Sequence, residues 1–278
     1  MGWLRKDTRV VDPDLNLAAI AKEFPTGKPH ISYSEVKNWM ECPYRHKLAY
    51  IDGKSTFENS IYTIFGTAIH SACEEFLKTK NMDVNIATSF IAENWKKYRF
   101  EDSDKWVEKA EKILSDVPAF MDSTFPGWEY VCAEEKLYES IDNQKIKFKG
   151  FIDGIIKVKK SNDKEVFWVL DWKTAGWGWS SQKKKDSTVT SQITLYKTFW
   201  SRKHQIPMKD IRAGFVLLKR DGKAGKCCEL LAVSVGPATS QKSLKIVDNM
   251  IESVKRGVRI KNRYACKYCE FYETPDCT

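Results

Sequence analysis

No window of the 278 residues approaches the roughly 18 consecutive apolar side chains that a membrane-crossing helix needs. The first residues also lack the basic cluster and hydrophobic run of an export signal. Together these absences lead us to expect an intracellular protein with no membrane partner. Internal repeats and long low-complexity tracts are missing too, which sets repeat architectures aside. The nucleotide-cradling pattern G-x-x-x-x-G-K-[ST] does not occur, so a motor activity would have to come from a partner.

Apolar residues make up 42% of the chain, enough for a substantial core. Lysine and arginine number 46 against 37 acidic residues, a formal charge of +9, which suits a polyanionic partner such as nucleic acid. There are eight cysteines. In a reducing compartment they are expected to stay as thiols or bind metal rather than pair. Three of them, Cys266, Cys269 and Cys277, crowd the segment CKYCEFYETPDC.

Residues 1–29, with Pro13, Pro25, Gly27 and Pro29, read as an irregular lead-in. Residues 30–278 read as a single mixed α/β domain. A helix is expected over SYSEVKNWM, capped by Ser34, with Pro43 ending it or opening a second short one. The segment SIYTIFGTAIHSACEEFLKTK places Ile61, Phe65, Ala68, Ile69, Ala72, Phe76 and Leu77 on one helical face. Two more helices between Asp83 and Phe125 make 81–127 a helical insertion. Three β-rich segments follow, separated by the turn signals DNQ and SND. A helix (VTSQITLYKTFWSRKH), two strands and a last helix from about Thr239 to Lys255 complete the order.

The segment VLDWKTAGWGW puts Asp171 and Lys173 on one face of a strand and Trp172 on the other. The preceding strand carries Asp153 in GFIDGII. A hairpin folded about Asn162 sets the two aspartates directly opposite each other, with Cβ atoms about 4.5–5.5 Å apart. Like charges so placed are destabilising unless a cation lies between them, and Mg²⁺ favours such carboxylates. Lys173 would then face developing negative charge on a phosphate. The bland alternative is a surface hairpin with two solvated acids. In FGTAIH, Gly66 and His70 share a helix face; Gly66 would admit a close backbone, and His70 offers a nitrogen ligand. Gln192 and Tyr196 in SQITLYK have the same i, i+4 spacing.

In their order along the chain, GTAIH, an acid in AEEKL, GFIDG, DWKT and QITLY resemble the RecB-like branch of the PD-(D/E)XK nuclease superfamily. The opening SYSEVKNWMECPYRHKLAYI is similar to that branch's usual start, and the resemblance runs from about Ile31 to Cys277. It implies a restriction-endonuclease-like core, a mixed sheet flanked by helices. It further implies that His70, Asp153, Asp171 and the Trp172 carbonyl bind Mg²⁺ or Mn²⁺, and that Lys173 is the catalytic lysine. Gln192 and Tyr196 would be the accessory motif. The early acid is Glu134 or Glu135, with Glu134 preferred from its spacing to Leu137.

Cys266 and Cys269 have chelating spacing, Cys277 follows, and Cys42 in ECPYRHK is the available fourth thiol. Four thiolates suit Zn²⁺ or an iron–sulfur cluster, and either would tie the N-terminal helix to the chain's end. The same resemblance points to a [4Fe–4S] cluster, as in CRISPR-associated and helicase-linked relatives, although the last spacing is seven residues here where five is common. Zn²⁺ stays the alternative. Cys73, Cys132, Cys227 and Cys228 read as small buried hydrophobes.

Trp177 and Trp179 followed by Gln182–Lys185 suggest a flexible loop that stacks on bases and attracts phosphates. The basic stretch Lys255–Tyr264 would line the same channel, binding phosphate in a salt-sensitive way. The expectation is a metal-dependent deoxyribonuclease, an exonuclease on DNA ends or single strands, working with a helicase or recombination partner in recombination, repair or CRISPR-linked processing. The phage or bacterial setting follows from the resemblance alone. The alternative is a non-catalytic nucleic-acid-binding subunit that keeps the fold and cluster.

Overall fold

Three consecutive β-rich segments build the frame of the molecule. In the computed structural model, which describes residues 23–54, 59–160 and 163–278, β2 (Glu129–Ser140), β3 (Lys147–Lys159) and β4 (Glu165–Ala175) form an antiparallel meander. β5 (Ile211–Lys219) pairs with β4 in parallel, and β6 (Cys228–Ala232) pairs antiparallel with β5. A parallel neighbour requires a crossover, supplied here by the helix Ser187–His204 between β4 and β5. A further strand, β1 (His30–Ser32), runs parallel to β3. Three residues carry too little alternation to be read as a strand from sequence.

The resulting six-stranded sheet has the order β1-β3-β4-β5-β6, with β2 on the opposite side of β3. β1 and β4 therefore share one edge of β3. β1 lies along Lys147–Lys149 and β4 along Gly154–Lys159. Between those stretches, residues 150–152 of β3 are paired only towards β2 and Asp153 with neither neighbour, which leaves a notch in the sheet.

Helices cover both faces. They are α1 (Tyr33–Glu41), α2 (Pro43–His46, running into a π-helical turn, Lys47–Ile51), α3 (Ile61–Thr79), α4 (Asn85–Tyr98), α5 (Ser103–Thr124), α6 (Ser181–Lys185), α7 (Ser187–His204) and α8 (Pro237–Lys255). On one face, Val36 of α1, Phe199 and Trp200 of α7 and Val247 of α8 join Ile152, Val169 and Phe215 of the sheet in one core. On the other, Phe65 and Phe76 of α3, Trp95 of α4 and Ile113 of α5 join Leu170, Trp172 and Val216. The helices within 81–127 thus pack directly into the core on that face of the sheet. Each fully buried side chain of this size contributes on the order of 2–3 kcal/mol by leaving water.

Some local expectations change. Ser32, not Ser34, caps α1 by accepting from the Glu35 N–H, which starts the helix at Tyr33. Pro43 opens the second helix at its first turn, where its missing N–H costs nothing. Gln182–Lys185 is not an open loop but part of α6, capped by the Ser180 side chain at the Lys183 N–H. The lead-in 1–29 falls mostly outside the described residues, as does Asn162.

Candidate active site

Backbone register brings the two aspartates together. β3 and β4 pair from Lys159↔Glu165 to Gly154↔Leu170, each pair equidistant from residue 162, which is the register the sequence suggested. Asp153 and Asp171 stand one step beyond the last pair, at the notch. There a side chain replaces the backbone ladder: the Trp172 N–H donates to Asp153 Oδ2 at 2.7 Å. The Trp172 indole is buried in the opposite core, so only its backbone reaches the site.

Asp171 is 1% exposed. Its Oδ2 is a buried acceptor without a hydrogen bond, although Lys173 Nζ stands 2.5 Å away; we read this as an ion pair off the direction a hydrogen bond needs. Burial works to depress the Lys173 ammonium, but the charges of Asp171 and Asp153 outweigh it and hold the amine protonated. Asp153 is pushed well above the usual carboxylate range, by desolvation first and then by Asp171. Without a cation between them, two acids this close favour a retained proton.

From α3, His70 Nδ1 comes within 3.5 Å of Asp153 Oδ2. Burial, the largest cause, takes its pKa down to about 4, leaving a neutral imidazole with a free lone pair near pH 7. Gly66 does not have the expected role, because a Cβ there would meet only Thr174 Oγ1 at an ordinary 3.6 Å. The close approaches occur on β3 instead. A Cβ at Gly150 would lie 2.7 Å from Tyr196 Cε1, and one at Gly154 2.4 Å from Leu77 Cδ1.

The two early glutamates diverge. Glu134 falls between the pairs Ala133↔Gly154 and Glu135↔Ile152, and so opposite Asp153, with φ at +50°. Its carboxyl is raised by desolvation and then by Glu74. Glu135 turns away to the end of α7, where it accepts from Trp200 Nε1 at 2.7 Å and meets Lys203 at 2.9 Å and His204 at 2.5 Å. Burial opposes ionisation there, yet the bonds from His204, Cys132 and Lys203 take its pKa down to about 2. Glu135 is an anchor, and Glu134 is the glutamate left at the notch.

On α7, Gln192 Nε2 donates to the Tyr196 hydroxyl at 3.3 Å. The Tyr196 phenol is raised by desolvation and then by the negative charge of Asp171. Glu74 and Lys78, paired at 2.6 Å, were not anticipated. Their signal was the spacing of four and eight residues from His70 on one helix face.

Among the described residues no three His, Cys, Asp or Glu side chains stand close enough, as they are, to hold a metal ion. The donor chemistry still fits a divalent cation: Asp171 offers an orphaned buried oxygen, Asp153 a carboxyl that ionises only with help, and His70 a neutral nitrogen.

Cys42, Cys266, Cys269 and Cys277 line one small, partly open cavity together with Arg45, Lys261 and Arg263. Four soft donors backed by three cations fit an anionic thiolate centre. Around it the 41–45 segment and the 260–270 segment are tied directly. Tyr44 N–H donates to Ile260 O at 3.1 Å, Asn262 Nδ2 to Glu41 O at 2.8 Å, and Arg45 pairs with Glu270 at 2.7 Å. Of the other cysteines, Cys73 and Cys227 are buried and Cys132 and Cys228 half-buried.

The expected nucleic-acid loop divides. Trp179 packs on Phe215, with ring centroids 5.4 Å apart, whereas Trp177 is 68% exposed. Lys184 is held by Glu229 at 2.6 Å, and Lys183 lies over the Trp179 ring. In the second basic stretch, Lys261 and Arg263 donate to the Thr278 carbonyl, so part of that charge serves the chain's own closure.

A profile of the PD-(D/E)XK nuclease superfamily matches residues 30–274, nearly the whole chain and all of the notch. The chain belongs to this superfamily, and its mixed sheet flanked by helices is that nuclease core. The crystal structure of the "Putative exonuclease" of Eubacterium rectale superimposes with a TM-score of 0.56 at 13% identity, covering 94% of this chain and 91% of that one. A second solved structure, SSO0001, reaches a TM-score of only 0.32 at 15% identity over 82% of this chain and 91% of its own, too loose to carry an argument. No curated protein matches the sequence.

Proposed function

We propose that this nuclease is a Mg²⁺- or Mn²⁺-dependent deoxyribonuclease acting as an exonuclease at ends of single-stranded or unwound DNA. The observation that carries the reading is the notch, where Asp153 and Asp171 meet beyond the last backbone pair with Lys173 held protonated beside them. Asp153, Asp171, His70 and the Trp172 carbonyl would hold the ion. Bound there, it would polarise the scissile phosphate and lower the pKa of an attacking water. Lys173 keeps a fixed positive charge beside the site of developing negative charge. Glu134 adds a third carboxyl, and Gln192 and Tyr196 orient the phosphate from the α7 side. With no nucleotide-cradling loop of its own, the enzyme would act on ends opened by a helicase or recombination partner. The four cysteines would hold a [4Fe–4S] cluster, with Zn²⁺ as the alternative, in a structural role.

The test is hydrolysis of end-labelled linear single-stranded, linear double-stranded and circular DNA with Mg²⁺ or Mn²⁺. Wild type is compared with Lys173→Ala and Asp171→Ala. Linear DNA should be degraded by the wild type, and each variant should lose at least about 100-fold in rate. If all three proteins are inert while DNA still binds in a salt-dependent way, the chain is a binding subunit on a nuclease scaffold.

A further inference from the structure

Beside the notch, one face of β2 and β3 carries side chains that are exposed or half-buried among the described residues. β3 residues alternate there, so Phe148, Gly150 and Ile152 turn into the α7 side while Lys147, Lys149 and Phe151 turn outwards. Their cross-strand partners on β2 point the same way: Lys136 opposite Phe151 and Tyr138 opposite Lys149. Phe151 is 43% exposed, an expensive position for a phenyl ring that covers nothing. Lys136 and Lys147 sit over the Tyr138 ring, 5.5 and 5.2 Å from its centroid, and Lys149 lies 5.8 Å from that of Phe151. Among the described residues none of these three lysines forms an ion pair with a carboxylate. The row stops beside the notch: Asp153 and Glu134 stand two residues further along the two strands, where β3 changes side and turns Gly154 towards Leu77.

We propose that this open face of β2 and β3 is a track for single-stranded DNA, stacking bases on Phe151 and Tyr138 while Lys136, Lys147 and Lys149 hold the phosphates and lead the strand to Asp153. Charge complementarity selects a polyanion. The exposed Phe151 ring, with the half-buried Tyr138 beside it, selects unpaired bases, because a duplex keeps its bases stacked on one another. The spacing of alternate residues along a strand is also close to one extended nucleotide per step. His30, whose ring lies 5.8 Å from that of Tyr138, is lowered by burial and then by Lys149, Lys28 and Lys136, a sign of unneutralised positive charge gathered on this face. The inference rests on the nuclease reading but names a surface other than the Trp177 loop.

The experiment measures binding of a fluorescent single-stranded oligonucleotide, and of the same sequence as a duplex, with EDTA present so that nothing is cleaved. Lys136→Gln/Lys147→Gln/Lys149→Gln should reduce the slope of log affinity against log salt by about 2, at roughly 0.7 per phosphate contact on a single strand. Lys242→Gln/Lys245→Gln, which removes exposed charge from α8, should leave that slope nearly unchanged. Phe151→Leu/Tyr138→Leu should weaken single-strand binding on the order of 10-fold or more while changing duplex binding little. Leucine keeps the strand's apolar surface, and circular dichroism checks that the variant is folded. Equal losses from both lysine variants, or aromatic variants that bind the single strand like wild type, would overturn the track. If the variants bind normally while Lys173→Ala abolishes cleavage, the track fails and the nuclease reading stands. If binding falls as expected but wild type cleaves nothing, the reverse holds.

Discussion

Glu134 and Glu135 are neighbours with opposite fates, and the difference is set by what each carboxylate touches. Glu135 is surrounded by donors from the end of α7, so its pKa of about 2 lies below the ordinary 4.5. A depressed carboxylate gives stability that is complete above the ordinary value and is lost as pH falls towards the folded one. The shift corresponds to about 3 kcal/mol, of which roughly half should disappear between pH 6 and pH 3. Urea unfolding of wild type and Glu135→Gln at those two pH values checks this. Wild-type stability should fall more steeply, and the two should converge at low pH. Parallel declines would mean that other carboxylates dominate acid unfolding. The spacing to Leu137 in AEEKL favours Glu134, but nothing local shows what Glu135 does, because the anchor's helix partners lie some 65 to 69 positions away in sequence.

At the scale of elements, the hairpin was the most legible part of the site. Alternating apolar residues on either side of a short turn fix which residues face each other, so Asp153 and Asp171 could be paired from the chain alone. What the pattern does not carry is the reason the pairing stops. β1 occupies the neighbouring stretch of β3 with only three residues, and Asp153 itself takes the Trp172 N–H. Gly66 looked like a close-contact glycine, yet Gly150 is the one that brings α7 to the sheet. Gly150→Ala would press its methyl against Tyr196, whose ring is buried and cannot retreat freely. The expected result is a loss of about 1–3 kcal/mol in stability, with a slower cleavage rate as Tyr196 and Gln192 shift. Rate and stability would both be read on the purified variant. Unchanged values for both would show that the α7 side of the notch tolerates displacement.

Across the whole molecule, the segment around Cys42 and the segment from Lys261 to Cys277 meet at the cysteine cavity. The clustering of three cysteines was visible in sequence, but the closure by Asn262 N–H at Cys42 Sγ spans 220 positions and no local pattern announces it. In chain-entropy terms, cross-linking so long a loop stabilises by at most about 5 kcal/mol. The polar ties from Tyr44, Asn262 and Arg45 supply a weaker form of the same closure without any metal. A bound centre should therefore add to stability rather than create the fold. Protein purified anaerobically should contain iron and inorganic sulfide, with broad visible absorption, and Cys42→Ser should lose both and unfold at a Tm several degrees lower. Zinc alone, lost in the same variant, would identify the centre as Zn²⁺ and keep the structural role. A metal-free wild type with the same Tm as Cys42→Ser would leave the closure to the polar ties, and the four thiols would then be packing residues around a cavity.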